Sequence, residues 1–470
     1  MNRFALKEMV TGLTIIFCGP CHALSLEDTV LYVLETNPEI TAAESNKQAI
    51  EFELDQAQSF FYPRLEFEGW AGASVNNGST LSDVTAADSA ITGYSVLGRI
   101  TQTLLDGGER RAEIDRQAYR VDAAAFRVLE RSEVLSLEAI RLYADVLRTR
   151  ELVHLARGNL SYHRTVRDRL DNAYRNGVVP IGDLQQAEER VFLAQETLLT
   201  FQLGSADVDA LFLEVVGVAP SSLNSMPGPG RAMPASLDQA LSVARQKNPT
   251  ILFAKADVGA AEALLRVVSA ARSPDLNIEA DAIYGENLNG FEGRTSDARI
   301  GLVLRYEFQG NRKKAAREEH VRRVSEARAH LLTQTRLVER EVRQTWTNMT
   351  TVRQRVHTVS ELARLARDLR ATYEEEYRVG GRSLLDILNT QNALFQAEVN
   401  LVNQRSLERY VGYRLLAAAG VLLQTLNIPV PEDARPYAGE SRGVPGLQFE
   451  NADSRNTAAS FRDWRKSLDN

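Results

Sequence analysis

The chain is written twice. Ser25-Leu26 recurs at Ser236-Leu237, Asn37-Pro38 at Asn248-Pro249 and Pro63-x-Leu65 at Pro274-x-Leu276, all at an offset of 211 residues. Further along the offset becomes 203, so that Gly98 meets Gly301, Gly107 meets Gly310, Tyr174 meets Tyr377, Asp183 meets Asp386 and Gly217 meets Gly420. The main organisational fact is therefore an internal repeat, one pattern of elements written in two copies. The change of offset places eight extra residues in the first copy, between about Gly72 and Thr92, around the small polar run Asn76–Thr80. Insertions of that composition belong to exposed loops.

Proline spacing sets the shape of each unit. None falls between Pro63 and Pro180, or between Pro274 and Pro429, while Pro220, Pro227, Pro229 and Pro234 crowd into one stretch. The cluster marks a linker over 218–235, between a first repeat at 24–217 and a second at 236–428. Within a copy the pattern reads helix, helix, strand, strand, long helix, helix. Asn37 is placed to end the first helix in a left-handed conformation, and Pro38 to open the next. Strands are expected at about 63–75 and 92–105, and at about 274–285 and 296–308. A helix from Glu109 to Tyr174 would be about 100 Å long. In the second copy Val338, Val342, Thr345, Met349, Val352, Val356, Val359, Ala363, Ala366 and Arg370 follow alternating steps of four and three, the seam of a coiled coil.

Each long helix ends in a matching turn. The first reads Tyr174-Arg175-Asn176-Gly177-Val178-Val179-Pro180-Ile181-Gly182-Asp183, and the second Tyr377-Arg378-Val379-Gly380-Gly381-Arg382-Ser383-Leu384-Leu385-Asp386. Gly supplies the positive φ that stops a helix. Asp183 and Asp386 are expected to cap the helices that follow.

Residues 1–23 read as a secretory signal peptide: Arg3 and Lys7, a short apolar core, then Cys21-His22-Ala23. Both cysteines lie inside it, which leaves the mature chain without thiol chemistry. Phe17 precedes Cys18 and Pro20 precedes Cys21, so no lipid anchor is expected. A net charge of −7 argues against nucleic acid. Histidines 154, 163, 320, 330 and 357 are scattered, and no nucleophile elbow or phosphate loop occurs, so no catalytic residue, metal or cofactor is expected. Residues 429–470 read as a polar tail, mostly disordered from Glu432 onward. The basic run Arg312, Lys313, Lys314 and Arg317 follows a strand and admits a role toward anionic lipid. Trp70, Tyr94 and Tyr284 are candidate interfacial anchors.

The strands pose the functional question. Leu65, Phe67, Ala71, Ala73 and Val75 alternate with Glu66, Glu68, Trp70, Gly72 and Ser74, and Leu276, Ile278, Ala280, Ala282 and Tyr284 with Asp275, Asn277, Glu279 and Asp281. Such strands suit a membrane barrel wall or a half-buried soluble sheet. The facing of 92–105 and 298–308 is ambiguous, because the 203 offset sets Ile100 against Val303. Four strands cannot close a barrel, so a membrane role requires several chains.

The ordered set Leu26…Asn37-Pro38, Tyr62-Pro63-x-Leu65, Gln102-Thr103-Leu104-Leu105-Asp106-Gly107-Gly108 and the two Tyr-x-x-Gly…Asp turns resembles the TolC-like outer-membrane efflux and secretion channels, across roughly residues 24–426. The resemblance implies a mainly α fold with a β-barrel part: a homotrimer with a twelve-stranded transmembrane barrel in the outer membrane and a periplasmic α-barrel tunnel. It implies a passive exit duct, not an enzyme. The partners implied are a periplasmic adaptor (membrane fusion) protein, an inner-membrane transporter of the ABC or RND type, and outer-membrane lipid. The turns, with Gly177, Val178, Gly380 and Gly381, would form the adaptor-contacting tip. Asp183, Tyr377 and Arg382 would form a gate, Asp183 pairing with Tyr377 in its own chain and with Arg382 of a neighbour. Asp386 and Asn389 would line the entrance ring, Asn389 standing where the family pattern has an acid. Type I protein secretion and multidrug efflux both fit, and the missing lipid cysteine leans toward secretion. The competing class is a soluble periplasmic coiled-coil scaffold.

Overall fold

A computed structural model describes residues 23–75, 90–230 and 233–441, without the side chains of 440 and 441. The expected signal peptide up to residue 22, most of the inserted loop and the tail beyond 441 lie outside the described residues.

The order of elements follows the repeat. The first copy runs α1 (Leu26–Thr36), α2 (Pro38–Ser59), β1 (Arg64–Ser74), β2 (Ile91–Leu105), α3 (Glu109–Arg175) and α4 (Ile181–Val216). The second runs α5 (Leu237–Lys247), α6 (Pro249–Ala270), β3 (Asp275–Glu286), β4 (Arg294–Arg305), α7 (Arg312–Arg378) and α8 (Leu384–Ala418). A short α9 (Leu422–Thr425) and α10 (Ala438–Ser441) follow.

Local chemistry explains the boundaries. Ser25 and Asp28 form a reciprocal capping box that starts α1. Asn37 ends α1 and caps α2 in an extended conformation, φ −74° and ψ 124°, not in the left-handed one expected of an Asn at a helix end, because the proline that follows pushes its backbone to the extended region. Its side-chain oxygen accepts from Glu39 N at 3.0 Å, and its amide donates to Val215 O at 3.1 Å. Asn248 repeats the device, donating to Ala418 O at 3.0 Å. Each Asn therefore ties the bend between two short helices to the end of the last helix of its own copy.

Each 67-residue helix, α3 and α7, spans about 100 Å. The expected seam on α7 is the buried one: Val338, Val342, Thr345, Met349, Val352, Val359, Ala363 and Ala366 are all buried. Chains of small and β-branched residues at this spacing let α7 lie against α8 with its charged faces in water. The long helix α3 packs along both α2 and α4, and also against α6 of the other copy. The largest core lies where α1, α3, α4 and α8 meet the linker, around Leu26, Val30, Ile140, Tyr143, Phe212 and Tyr413. Tyr143 and Tyr413 bury their rings there and spend their hydroxyls on the linker carbonyls of Asn224 at 2.7 Å and Pro227 at 3.0 Å.

The beginning of the tail is docked, contrary to expectation. Lys47 pairs with Asp433 at 2.7 Å. The buried Asp122 carboxylate accepts from the backbone N–H groups of Tyr437, Ala438 and Gly439, each at 3.0 Å. A carboxylate on α3 that needed partners supplies the ordering that composition alone did not reveal.

Candidate channel wall and periplasmic tip

The strands form one antiparallel sheet in the order β1-β2-β3-β4, and its register assigns every face. Leu65 lies opposite Ile100, Ile100 opposite Ala280, and Ala280 opposite Ile300. Directly opposed residues project to the same side. One face therefore carries Leu65, Phe67, Val96, Ile100, Ile278, Ile300, Leu302 and Leu304, many of them exposed, such as Phe67 at 79% and Ile300 at 78%. The sequence ambiguity has a cause. The register shifts between Thr103 and Leu105, a bulge on β2 that β4 lacks. One extra residue reverses the phase of a strand, so the 203 offset pairs residues on opposite faces.

The other face is charged. Glu66, Arg99, Asp281 and Arg299 stand in one row across all four strands. Asp281 accepts from Arg99 at 2.6 Å and from Arg299 at 2.8 Å, and Arg305 pairs with Glu279 at 2.5 Å. Trp70 lies on this polar face with Glu66 and Glu68, whereas Tyr94 and Tyr284 lie on the apolar face with ring centroids 6.5 Å apart. An apolar outer face, an ionic inner face and aromatic residues at a border are the composition of a barrel wall. The outer edges of β1 and β4 have no partner strand among the described residues. Lipid does not tolerate an open edge, so in a membrane such a sheet needs strands from other copies.

At the far end of the long helices both glycines take positive φ, Gly177 at 72° and Gly380 at 77°. Val178 N donates to Ala173 O at 2.9 Å, and Gly381 N to Glu376 O at 2.8 Å, closing the same helix-ending turn twice. The caps differ from expectation. Ser383 is the N-cap of α8, and Asp386 is its reciprocal partner three residues on. The bonds from Ser383 hold the Asp386 carboxyl below its ordinary range. Pro180 occupies the N-cap of α4, with no side-chain cap bond, and Asp183 sits in the first turn.

The expected gate residues lie at this tip without joining. No hydrogen bond links Asp183 to Tyr377 among the described residues. Arg382 instead binds Glu376 at 2.6 Å and lies 4.2 Å over the Tyr373 ring, within its own hairpin. Asn389 is exposed and Asp386 half-buried on the same helix.

The link between hairpins lies further from the tip. Tyr162 Oη on α3 donates to Glu374 of α7 at 2.8 Å. Asn159 Oδ1 accepts from Gln391 Nε2 at 2.9 Å, and Gln391 Oε1 accepts from Arg370 at 3.0 Å. Burial and the Glu374 bond push the Tyr162 hydroxyl above its ordinary pKa, so it stays a donor. The sequence held one signal for this network: Arg370 occupies a seam position, where a charge needs buried partners. Val379, 84% exposed beside Gly380, is a second tip residue the sequence reading passed over.

The fold and its faces define a class: a channel subunit whose sheet joins those of other copies in a membrane and whose helices extend the conduit. The family model described as outer membrane efflux protein matches residues 32–206 and 240–420, and the chain belongs to that family. It is 26% identical over 332 residues to the outer membrane efflux protein BepC of Brucella suis biovar 1, covering 68% of this chain and 71% of that one. The CmeC outer membrane channel of Campylobacter jejuni has the same fold, with a TM-score of 0.75 at 14% identity over 84% of this chain and 86% of CmeC. VceC of Vibrio cholerae superposes at a TM-score of 0.72 with 18% identity, over 84% of this chain and 96% of VceC. The family's architecture is the trimeric α-barrel and β-barrel channel, and its members are passive channels, not enzymes. The protein is therefore an outer-membrane protein with a long periplasmic extension, and the soluble-scaffold reading falls.

Proposed function

We propose that three copies form the exit duct of a tripartite export system, serving type I protein secretion or drug efflux. The sheet carries this reading: an apolar face, an ion-paired face and, among the described residues, two unpaired edges on one four-stranded unit. Three such units supply twelve strands, enough for a lumen. The duct performs no chemistry. Its energy comes from an inner-membrane ABC or RND-type transporter, joined through a periplasmic adaptor. The adaptor docks on the tip turns, where Val178 is 74% and Val379 84% exposed. Two exposed valines on glycine-flanked turns offer apolar contact at little conformational cost to a partner.

The tip is the gate in this reading. Arg382 exchanges Glu376 for Asp183 of the partner subunit when the trimer closes, and Asp183 also meets Tyr377. Each exposed pair contributes about 0–1 kcal/mol, so a ring of them holds a closed state that an adaptor of modest affinity opens. Asp386 lines the entrance with Asn389, giving three carboxylates per ring. The Tyr162–Glu374 and Asn159–Gln391 bonds hold the two hairpins of one chain together behind it. Replacing Arg382 and Tyr377 together raises single-channel conductance in planar bilayers. Unchanged conductance removes these residues from the gate.

A further inference from the structure

The duplication supplies an internal control for the membrane border. β2 leaves the sheet through Asp106-Gly107-Gly108-Glu109-Arg110-Arg111, and β4 through Gln309-Gly310-Asn311-Arg312-Lys313-Lys314. The two segments are the same joint at an offset of 203. In the first, Asp106 accepts from Arg110 Nε at 2.7 Å and from the backbone N–H groups of Gly108 and Arg110 at 3.0 Å. The Arg110 guanidinium then lies 4.5 Å from the Phe61 ring centroid. Two carboxylates balance two guanidinium groups, and the joint is neutral.

The second joint has lost both carboxylates. Gln309 stands where Asp106 does, and Arg312 where Glu109 does, so three cations occupy the joint with no acid of its own. Arg312 and Lys313 line one cleft with Glu109, Asp275 and Glu307, yet Arg312, Lys313 and Lys314 make no ion pair among the described residues. Lys313 Nζ lies 5.9 Å from the centroid of Tyr306. Tyr306 continues the alternation of Ile300, Leu302 and Leu304, and is 63% exposed on that apolar face, with Phe308 beyond it at 82%. Cations and aromatic rings thus meet where the lipid-facing surface ends on the helical side.

We propose that this second joint binds the headgroups of anionic phospholipid in the periplasmic leaflet, and that the first joint does not. The inference rests on the barrel reading, since only then does Tyr306 border a membrane. The apolar strand face receives the acyl chains, and the phosphate lies among Arg312, Lys313 and Lys314. A basic residue near an anionic surface contributes about 1 kcal/mol, or about fivefold in binding per cation. Tyr at this depth places its ring at the headgroup level.

The test uses the full-length oligomer in nanodiscs of phosphatidylcholine with and without phosphatidylglycerol, reading phosphatidylglycerol retained on delipidation and the thermal midpoint. Wild type retains phosphatidylglycerol and melts higher in its presence. The variant Gln309→Asp with Arg312→Glu, which writes the first joint's pattern into the second, loses the midpoint shift and roughly tenfold or more of the retention. Arg111→Gln, at the first joint, leaves both unchanged. Equal retention by all three proteins overturns the inference. So does a double variant that falls apart in both lipids, because the cluster would then serve a contact between subunits. Heat-modifiable migration of each variant reports the barrel separately, so an intact barrel with no lipid preference refutes this site alone.

Discussion

Tyr162→Phe removes one oxygen from the link between the two hairpins. The ring stays in place, with His163 edge-on at 5.9 Å and the Arg370 guanidinium at 5.4 Å. What is lost is the 2.8 Å bond from the phenol to Glu374. Hydrogen bonds to charged groups contribute about 1.5–3 kcal/mol, and the Glu374 side chain is 32% exposed, which places this bond near the lower end. About 1.5 kcal/mol is roughly tenfold in an equilibrium. If the bond exists only while the hairpins of one chain lie together, the ratio of closed to open states falls about tenfold per chain. Single-channel recording in planar bilayers reads this as longer and more frequent large-conductance states than wild type. The Gln391→Leu variant, which removes the partner of Asn159 and one of the partners of Arg370, moves in the same direction. Conductance and dwell times unchanged in both variants, with the trimer intact, would refute a holding role for this network.

Two further predictions concern the helical core. Glu133 is 5% exposed and accepts from the backbone N–H groups of Leu422 at 3.2 Å and Leu423 at 3.3 Å. Burial pushes its carboxyl from 4.5 up to about 7. A carboxyl raised in the folded chain favours folding most below its unfolded value, so the advantage is lost as pH climbs from 4.5 to about 7. The loss is roughly 3 kcal/mol per chain, and thermal melts of Glu133→Gln across that window show a flatter pH profile than wild type. Asp122→Ala frees the backbone of 437–439 at a cost of about 2–4 kcal/mol. Limited proteolysis then cuts at 432–441 faster than in wild type, while cutting of α3 is unchanged.

Much of this architecture was legible because it rests on spacing. The seam from Val338 to Ala366 and both glycine turns follow from periodicity and from the backbone freedom of Gly. The doubling of Asn37-Pro38 and Asn248-Pro249 locates the helix bends, and the prolines impose their extended geometry, whereas the carbonyls that hold the two side chains lie 178 and 170 residues away. The facing of β2 was hidden by one bulged residue, which no pattern of alternation announces. Asp183 and Asp386 looked like caps because acids favour helix starts, yet Pro180 and Ser383 take that position and leave the acids one turn inside. The docked tail depends on Asp122, whose need for partners shows only once α3 is packed. Asp183, Tyr377 and Arg382 all lie at the helix tips, and Arg382 has a nearer acid there in Glu376. Pairings across subunits are decided by copies of the chain, and a single sequence gives only the residues available to make them.

The central claim is that this sheet is one third of a membrane barrel. The direct measurement is electrophoresis of the membrane-extracted protein before and after boiling. Extraction requires detergent, the unboiled sample migrates as a compact trimer, and boiling converts it to the monomer. A monomer released from membranes by salt alone, with the same mobility before and after boiling, contradicts the account.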